Sequence, residues 1–251
     1  MRLPQEYLER MQKRLGEGFP AFLRAMEDAP VRGVRVNTLK IAPAALSALF
    51  PHLSAPVPWA EDGFYTDAEK VGSTIAHHAG LIYAQEPSAM CAAPLLGVRP
   101  GERVLDLCAA PGGKTAQLAA ALRGEGVLVS NEFVYDRARV LSQNAERLGI
   151  RNCAVVSADP ASLAACLPAY FDKILVDAPC SGEGMFRKDG DAVGEWRAET
   201  VARCSARQRD ILDAAAQMLC GGGRLGYCTC TFEYGENEGQ MAAFLDRHAE
   251  F

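Results

Sequence analysis

Short apolar runs and longer stretches of helical period alternate along most of the chain. Runs at 104–107, 127–130, 153–157, 173–177 and 224–229 are bounded by glycine, proline or polar residues. Their length and largely apolar character predict strands. Between and after them, 114–122, 135–148, 160–167, 200–219 and 236–248 read as helices. Regular strand–helix alternation predicts an α/β fold with a mostly parallel, doubly wound sheet. Upstream, 4–15 and 18–27 are predicted helices, each with an apolar stripe (Tyr7, Leu8, Met11, Leu15; Phe19, Phe22, Leu23, Met26). Val31–Lys40 alternates as a strand and Pro43–Phe50 reads as a short helix. The proline-rich 51–67 reads as a linker, and helices follow over 68–78 and 87–96. The expected division is a small N-terminal α+β region, 1–67, and a main domain, 68–251.

Composition changes this picture little. A chain of 251 residues, 49% hydrophobic and 23% charged, holds one large domain plus a small appendage and is not disordered. No window is long and apolar enough for a membrane span, and the start has no secretory h-region, so a cytoplasmic protein is expected. Nine cysteines, an odd number, form no disulfide framework, which fits a reducing compartment. Cys91, Cys153, Cys166, Cys204 and Cys220 fall in apolar contexts and are expected to be small buried hydrophobes. Cys228-x-Cys230 is not a CxxC pair and has no spaced partner pair, so no metal site is expected. The net charge of −5 argues against nucleic acid, but eight basic and five acidic residues in 1–40 leave that end positive and the remainder acidic. A locally basic surface on an acidic protein is compatible with an RNA partner.

The candidate chemistry gathers at the predicted strand ends, where open parallel sheets bind ligands. Val104-Leu-Asp-Leu-Cys-Ala-Ala-Pro-Gly-Gly-Lys-Thr115 is a strand, a tight turn and a helix start. Its glycine pair lets backbone N–H groups approach a ligand closely. A P-loop would need glycine where Cys108 stands, and the dinucleotide G-x-G-x-x-G is absent. The pattern therefore suits another nucleotide-like cofactor. The second strand ends at Glu132, a carboxylate placed to accept from ribose hydroxyls. Asp159 after the third strand can meet an adenine amino group or cap the helix that follows. The fourth strand leads into Asp177-Ala-Pro-Cys180 and the fifth into Cys228-Thr-Cys230. Thiols beside a methyl donor suit cytosine C5 methylation, in which sulfur must add to C6 before C5 becomes nucleophilic, and a second group must help the thiol leave. The residues alone do not rank Cys180 against Cys230.

Asp106-Leu-Cys-Ala-Ala-Pro-Gly-Gly-Lys-Thr115, Asp177-Ala-Pro-Cys-Ser-Gly182 and Tyr227-Cys-Thr-Cys-Thr-Phe232 resemble the motifs of the Nop/Sun family of S-adenosylmethionine-dependent RNA cytosine-5 methyltransferases. Arg35-Val-Asn-Thr-Leu-Lys40 and Tyr83-Ala-Gln-Glu-Pro-Ser-Ala-Met90 are similar to the family's N-terminal region. Gly182–Asp189 and Asn131-Glu132-Phe133 look most like bacterial members that modify 16S ribosomal RNA in the small subunit. The resemblance implies a Rossmann-like methyltransferase sheet, S-adenosyl-L-methionine as cofactor and RNA bound in part through 1–67. It makes Cys230 the nucleophile on C6, Cys180 the group that assists release, and Asp177 a neighbour of both cytosine and cofactor. It gives Cys108, Ala109, Ala110, Pro111, Gly112, Gly113 and Lys114 to the methionine side of the cofactor, Glu132 to ribose and Asp159 to adenine. Arg137 is a further cofactor candidate, against a solvated helix face. The chain stops at Phe251, where relatives continue, so a catalytic core with impaired RNA affinity is expected. The alternatives are the same chemistry on transfer RNA, or a non-catalytic RNA-binding module.

Overall fold

The computed structural model describes residues 3–188 and 190–251. It divides into two compact units. One joins Val31–Ala178 with Ile211–Cys228; the other joins the residues through Pro30 with Pro179–Asp210 and Thr229–Phe251.

The larger unit contains two sheets. Strands β1 (Gly33–Val36), β2 (Leu53–Pro56), β3 (Gly63–Thr66) and β4 (Ile82–Ala84) form an antiparallel sheet ordered β2-β3-β1-β4. The linker expected over 51–67 is thus two paired strands, and 68–78 holds only a 3-10 turn and a four-residue helix (Ile75–His78). Strands β5 (Arg103–Asp106), β6 (Val127–Asn131), β7 (Cys153–Val156), β8 (Phe171–Asp177) and β9 (Leu219–Cys228) form the second sheet, parallel throughout and ordered β7-β6-β5-β8-β9. All five strands lie where the apolar runs predict them.

Helices cover both faces of that sheet, numbered here α1 (Ala92–Leu96), α2 (Gly113–Leu122), α3 (Tyr135–Leu148), α4 (Pro160–Cys166) and α5 (Ala198–Met218). Val104, Leu128 and Leu175 pack on one face with Ala93, Leu96, Leu118, Ala119 and Leu122. Leu105, Val129, Ile174 and Val176 pack on the other with Leu163, Ile211, Ala214, Ala215 and Met218. The period-2 alternation of the strands explains this division, because neighbouring residues point to opposite faces. Among the described residues no helix is long and apolar enough to cross a membrane.

The smaller unit is built on the two N-terminal helices, Gln5–Leu15 and Phe19–Glu27, with the short helix Gly190–Glu195 and the C-terminal helix Glu238–Arg247. Its core is aromatic. The Tyr7 ring meets Phe186 edge-on at 5.0 Å and Trp196 at 5.9 Å, and Phe22 packs beside them. Glu183 is fully buried in this unit. It accepts from the Arg10 guanidinium, from Trp196 Nε1 at 3.1 Å and from the Phe232 amide at 3.2 Å. Glu183→Ala would leave Arg10 with Glu233 as its remaining carboxylate and strip the Trp196 and Phe232 N–H donors of their acceptor, so denaturant unfolding should show a loss of about 1–3 kcal/mol. Glu183→Gln, which keeps an acceptor, should lose less.

Candidate active site

The turn after β5 is held from several directions. Gly112, the residue before α2, has φ +111°, which only glycine adopts without strain, and α2 begins at Gly113. The Ala109 amide donates to the Asn131 carbonyl at 2.8 Å. Asn131 Nδ2 bonds the Leu107 and Ala158 carbonyls, both at 3.1 Å, and its Oδ1 accepts from the Ala158 amide. Asn144 on α3 donates to the Pro111 carbonyl at 2.8 Å. Arg137 is exposed on α3 but is not without protein partners. Its guanidinium bridges the Ala110 carbonyl (3.1 Å) and the Glu132 carboxylate (3.3 Å), tying the turn to the end of β6.

Glu132 is buried at 4% exposure and also accepts from the Val134 amide at 3.0 Å. Asp159 caps α4 through Oδ2, accepting from the Ala161 and Ser162 amides at 3.1 Å each. Lys114 Nζ lies 2.6 Å from Asp177 Oδ2 at the end of β8. Burial pulls the Lys114 ammonium down more than any single neighbour raises it, but the charge and hydrogen bond of Asp177 with the nearby Cys228 and Asp106 together make the net shift upward. Asp177 Oδ1 accepts from Cys228 Sγ at 3.3 Å. Burial, then the neighbouring Asp177 charge, raises the Cys228 thiol well above its usual range, so it stays protonated as a donor. Burial raises the Cys108 thiol as well, which leaves it an inert lining group rather than a nucleophile.

Asp106 lies beneath the turn, fully buried. Its Oδ2 is 2.6 Å from Thr115 Oγ1, whereas Oδ1 has no hydrogen-bond partner. Burial pushes its carboxyl up to about 7 from 3.8. The folded protein therefore keeps a proton that the unfolded chain releases near pH 4. Stability from this group is greatest below that pH, falls as pH rises to about 7 and is level beyond it. At about 1.4 kcal/mol per pH unit, the fall is at most about 4 kcal/mol. Asp106→Asn should remove this slope when unfolding free energy is followed from pH 4 to 8.

The smaller unit brings the other two site residues together. Cys180 Sγ and Cys230 Sγ are 3.2 Å apart, and the Cys230 amide approaches Cys180 Sγ at 3.4 Å. Cys230 is exposed and Cys180 half-buried. The hydrogen bond with Cys230, then burial, raises the Cys180 thiol far above its usual value, so Cys180 remains a thiol. Both loops are pinned. Glu236 Oε2 accepts from the Ser181 amide (3.0 Å) and from Gln208 Nε2 (2.8 Å), and Gln208 also donates to the Pro179 carbonyl. Ser181 Oγ meets Thr231 Oγ1 at 2.8 Å. The Gly184 amide donates to the Cys230 carbonyl at 2.8 Å, and a Cβ there would stand 2.7 Å from that oxygen, so residue 184 must be glycine.

Sequence reasoning missed Cys228, Glu183, Glu236 and Gln208. Only Cys228 had a local signal, its position two residues before Cys230. All nine cysteines are free thiols. Cys166, expected inside, is exposed, and the other four expected there are half-buried.

The parallel sheet, with a glycine turn after its central strand and an acid at the end of the next, is the arrangement of nucleotide-binding folds, and in this chain it is an S-adenosylmethionine-dependent methyltransferase sheet. Family models sharpen this. "16S rRNA methyltransferase RsmB/F" matches residues 93–251, and "N-terminal domain of 16S rRNA methyltransferase RsmF" matches 3–87. The chain belongs to the 16S rRNA methyltransferase RsmB/F family, the group that its motifs indicate. It is 43% identical over 248 residues to ribosomal RNA small subunit methyltransferase F of Escherichia coli O17:K52:H18, covering 94% of this chain and 52% of that protein. The chain thus spans about half the length of the curated relatives it matches. A methyltransferase homolog protein from Pyrococcus horikoshii superposes with TM-score 0.81 at 33% identity, over 97% of this chain and 83% of its own. NSun6 from Pyrococcus horikoshii, solved with SFG, shares the fold at TM-score 0.86 and 22% identity, over 97% of this chain and 87% of its own.

Proposed function

We propose that this chain is the catalytic part of an S-adenosylmethionine-dependent RNA cytosine-5 methyltransferase of the cytoplasm, acting on 16S ribosomal RNA. The observation that carries the reading is the pair of sulfur atoms 3.2 Å apart with only Cys230 exposed. Binding alone requires neither thiol. The exposure of Cys230 and the raised thiol of Cys180 support giving attack to Cys230 and release to Cys180.

The larger unit's residues fit S-adenosylmethionine by the chemistry of their donors. The first amides of α2 and the Lys114 ammonium suit a carboxylate, and buried Glu132 suits a ribose diol. Asp159, with Oδ2 spent on its cap, is left to meet an adenine amino group through Oδ1. When bound, the cofactor supplies an electrophilic methyl group. Cys230, as thiolate, adds to C6 of the target cytosine. Asp177 would share a proton with N3 of the base, so that the adduct's electron pair gathers at C5, the atom the cofactor's methyl group would meet. A base removes the C5 proton, the C5–C6 double bond re-forms and the Cys230 sulfur leaves, assisted by Cys180. The base must first leave its stack, a cost of a few kcal/mol (roughly) that is least in a loop. RNA contact is assigned to region 1–67, where Lys13, Arg24 and Arg32 are exposed cations.

The test is methyl transfer from tritiated S-adenosylmethionine to small ribosomal subunits, naked 16S RNA and transfer RNA, with bisulfite mapping of the product. Label in 16S RNA as 5-methylcytosine is expected. Label in transfer RNA alone would overturn the ribosomal substrate, and none in any RNA would overturn the enzyme reading.

A further inference from the structure

In the Arg35-Val-Asn-Thr-Leu-Lys40 stretch, the side chains of Arg35, Asn37 and Lys40 reach other parts of the larger unit. Arg35 on β1 is only 2% exposed, so its guanidinium is out of reach of a bound RNA. Its Nη2 donates to the Gly113 carbonyl at 3.2 Å, its Nε to Gln85 Oε1 at 3.1 Å, and its Nη1 pairs with Asp62 Oδ2 at 3.4 Å. Gln85, just past β4, continues the chain of bonds. Its Nε2 meets Gln117 Oε1 at 3.1 Å, and Gln117 on α2 donates in turn to the Met90 carbonyl at 2.9 Å. The Tyr83 ring closes the contact, because a Cβ at Gly113 would lie 3.0 Å from it. Asn37 donates to the Leu148 carbonyl at 2.8 Å and Lys40 to the Arg147 carbonyl at 2.7 Å, both at the end of α3.

Gly113 is the first residue of α2, and its carbonyl belongs to the same planar peptide group as the Lys114 amide. Holding that oxygen fixes the direction of that N–H. It is one of the donors at a helix start that have no partner within the helix and so face an anion. The Arg35 fork supplies three bonds in one plane, which a lysine ammonium on its flexible stem cannot reproduce.

We propose that Arg35 is a positioning residue for S-adenosylmethionine: through the Gly113 carbonyl, the antiparallel sheet sets the first turn of α2 and thereby the affinity for the cofactor. This rests on the methyltransferase reading, and the two fail differently. The N-terminal sheet then contributes to the cofactor site itself and is not only an RNA-facing appendage.

The test is calorimetric binding of S-adenosylmethionine to the RNA-free protein, beside filter binding of a 16S RNA transcript. Arg35→Lys should weaken S-adenosylmethionine binding about tenfold and leave RNA binding within twofold. In turnover it should raise the S-adenosylmethionine KM while kcat and the RNA KM stay near wild type. Gln117→Met, which breaks the same network from the α2 side, should weaken cofactor binding several-fold. It decides the matter alone if Arg35→Lys does not fold. Hydrogen exchange at 113–116 should quicken in either variant. Unchanged cofactor binding in the folded variants would overturn the inference, whether or not RNA binding falls. A merely structural residue would lower kcat through loss of active protein with both KM values unchanged, which also overturns it. Wild-type protein that binds no S-adenosylmethionine would sink the methyltransferase reading, and the inference with it.

Discussion

Cys180→Ala is expected to accumulate a protein–RNA adduct that survives denaturing electrophoresis, and Cys230→Ala to form none. The two sulfurs are 3.2 Å apart, and it is access that separates them, Cys230 being exposed and Cys180 half-buried. Without Cys230 no bond to C6 forms. C5 stays unreactive, and methyl transfer should fall by at least about 10⁴-fold, as for loss of a covalent nucleophile. Without Cys180, attack and methylation proceed but release stalls, so turnover should fall by roughly 10²–10⁴-fold, the usual span for a missing proton-transfer group. The raised Cys180 thiol supports this order, since a group that keeps its proton can pass it on but cannot attack. The measurement is a gel shift of labelled RNA with each variant in the presence of S-adenosylmethionine. An adduct in Cys230→Ala and none in Cys180→Ala would exchange the roles.

The sequence was most legible where burial is two-sided. The parallel strands are largely apolar runs because helices cover both faces of their sheet, and each run lies within a strand or a residue beyond it. The strands β2 and β3 were hidden because they carry a different pattern. Leu53–Pro56 is largely exposed, is paired on one side only and ends in a proline that elsewhere marks a turn. The helix expected over 87–96 is instead a 3-10 turn, Pro87–Met90, and a five-residue helix with Pro94 inside it. At the site, residues that follow strands were legible by position, because a parallel sheet brings its carboxyl ends to one edge. What the sequence could not reveal are side chains that bond distant backbone: Glu183 to residue 232, Glu236 to residue 181 and Arg35 to residue 113. Such bonds have no period. A buried glutamate reads as a surface residue until its partners are seen.

Asp177→Asn is expected to lower adduct formation and methyl transfer together, by roughly 10²–10³-fold, or about 2.7–4 kcal/mol of transition-state stabilisation. Asp177 offers two oxygens, one to Lys114 at 2.6 Å and one to the Cys228 thiol at 3.3 Å, and its side chain keeps 34% exposure. An amide of the same shape presents one oxygen and turns an NH₂ toward a neighbour that is itself a donor. The ammonium of Lys114 loses its counter-charge, and an amide cannot share a proton with N3 of the base as a carboxyl can. Because stabilisation at N3 is needed as sulfur adds to C6, the defect should appear before methylation and not after it. Cofactor binding should weaken by less than tenfold, since the first turn of α2 keeps its other anchors at Arg35 and Gln117. Adduct yield and single-turnover rate, measured on the same preparation, separate the possibilities. An Asp177→Asn protein that forms adduct at the wild-type rate and fails only afterwards would remove the aspartate from the attack step and leave it with release, the part now given to Cys180.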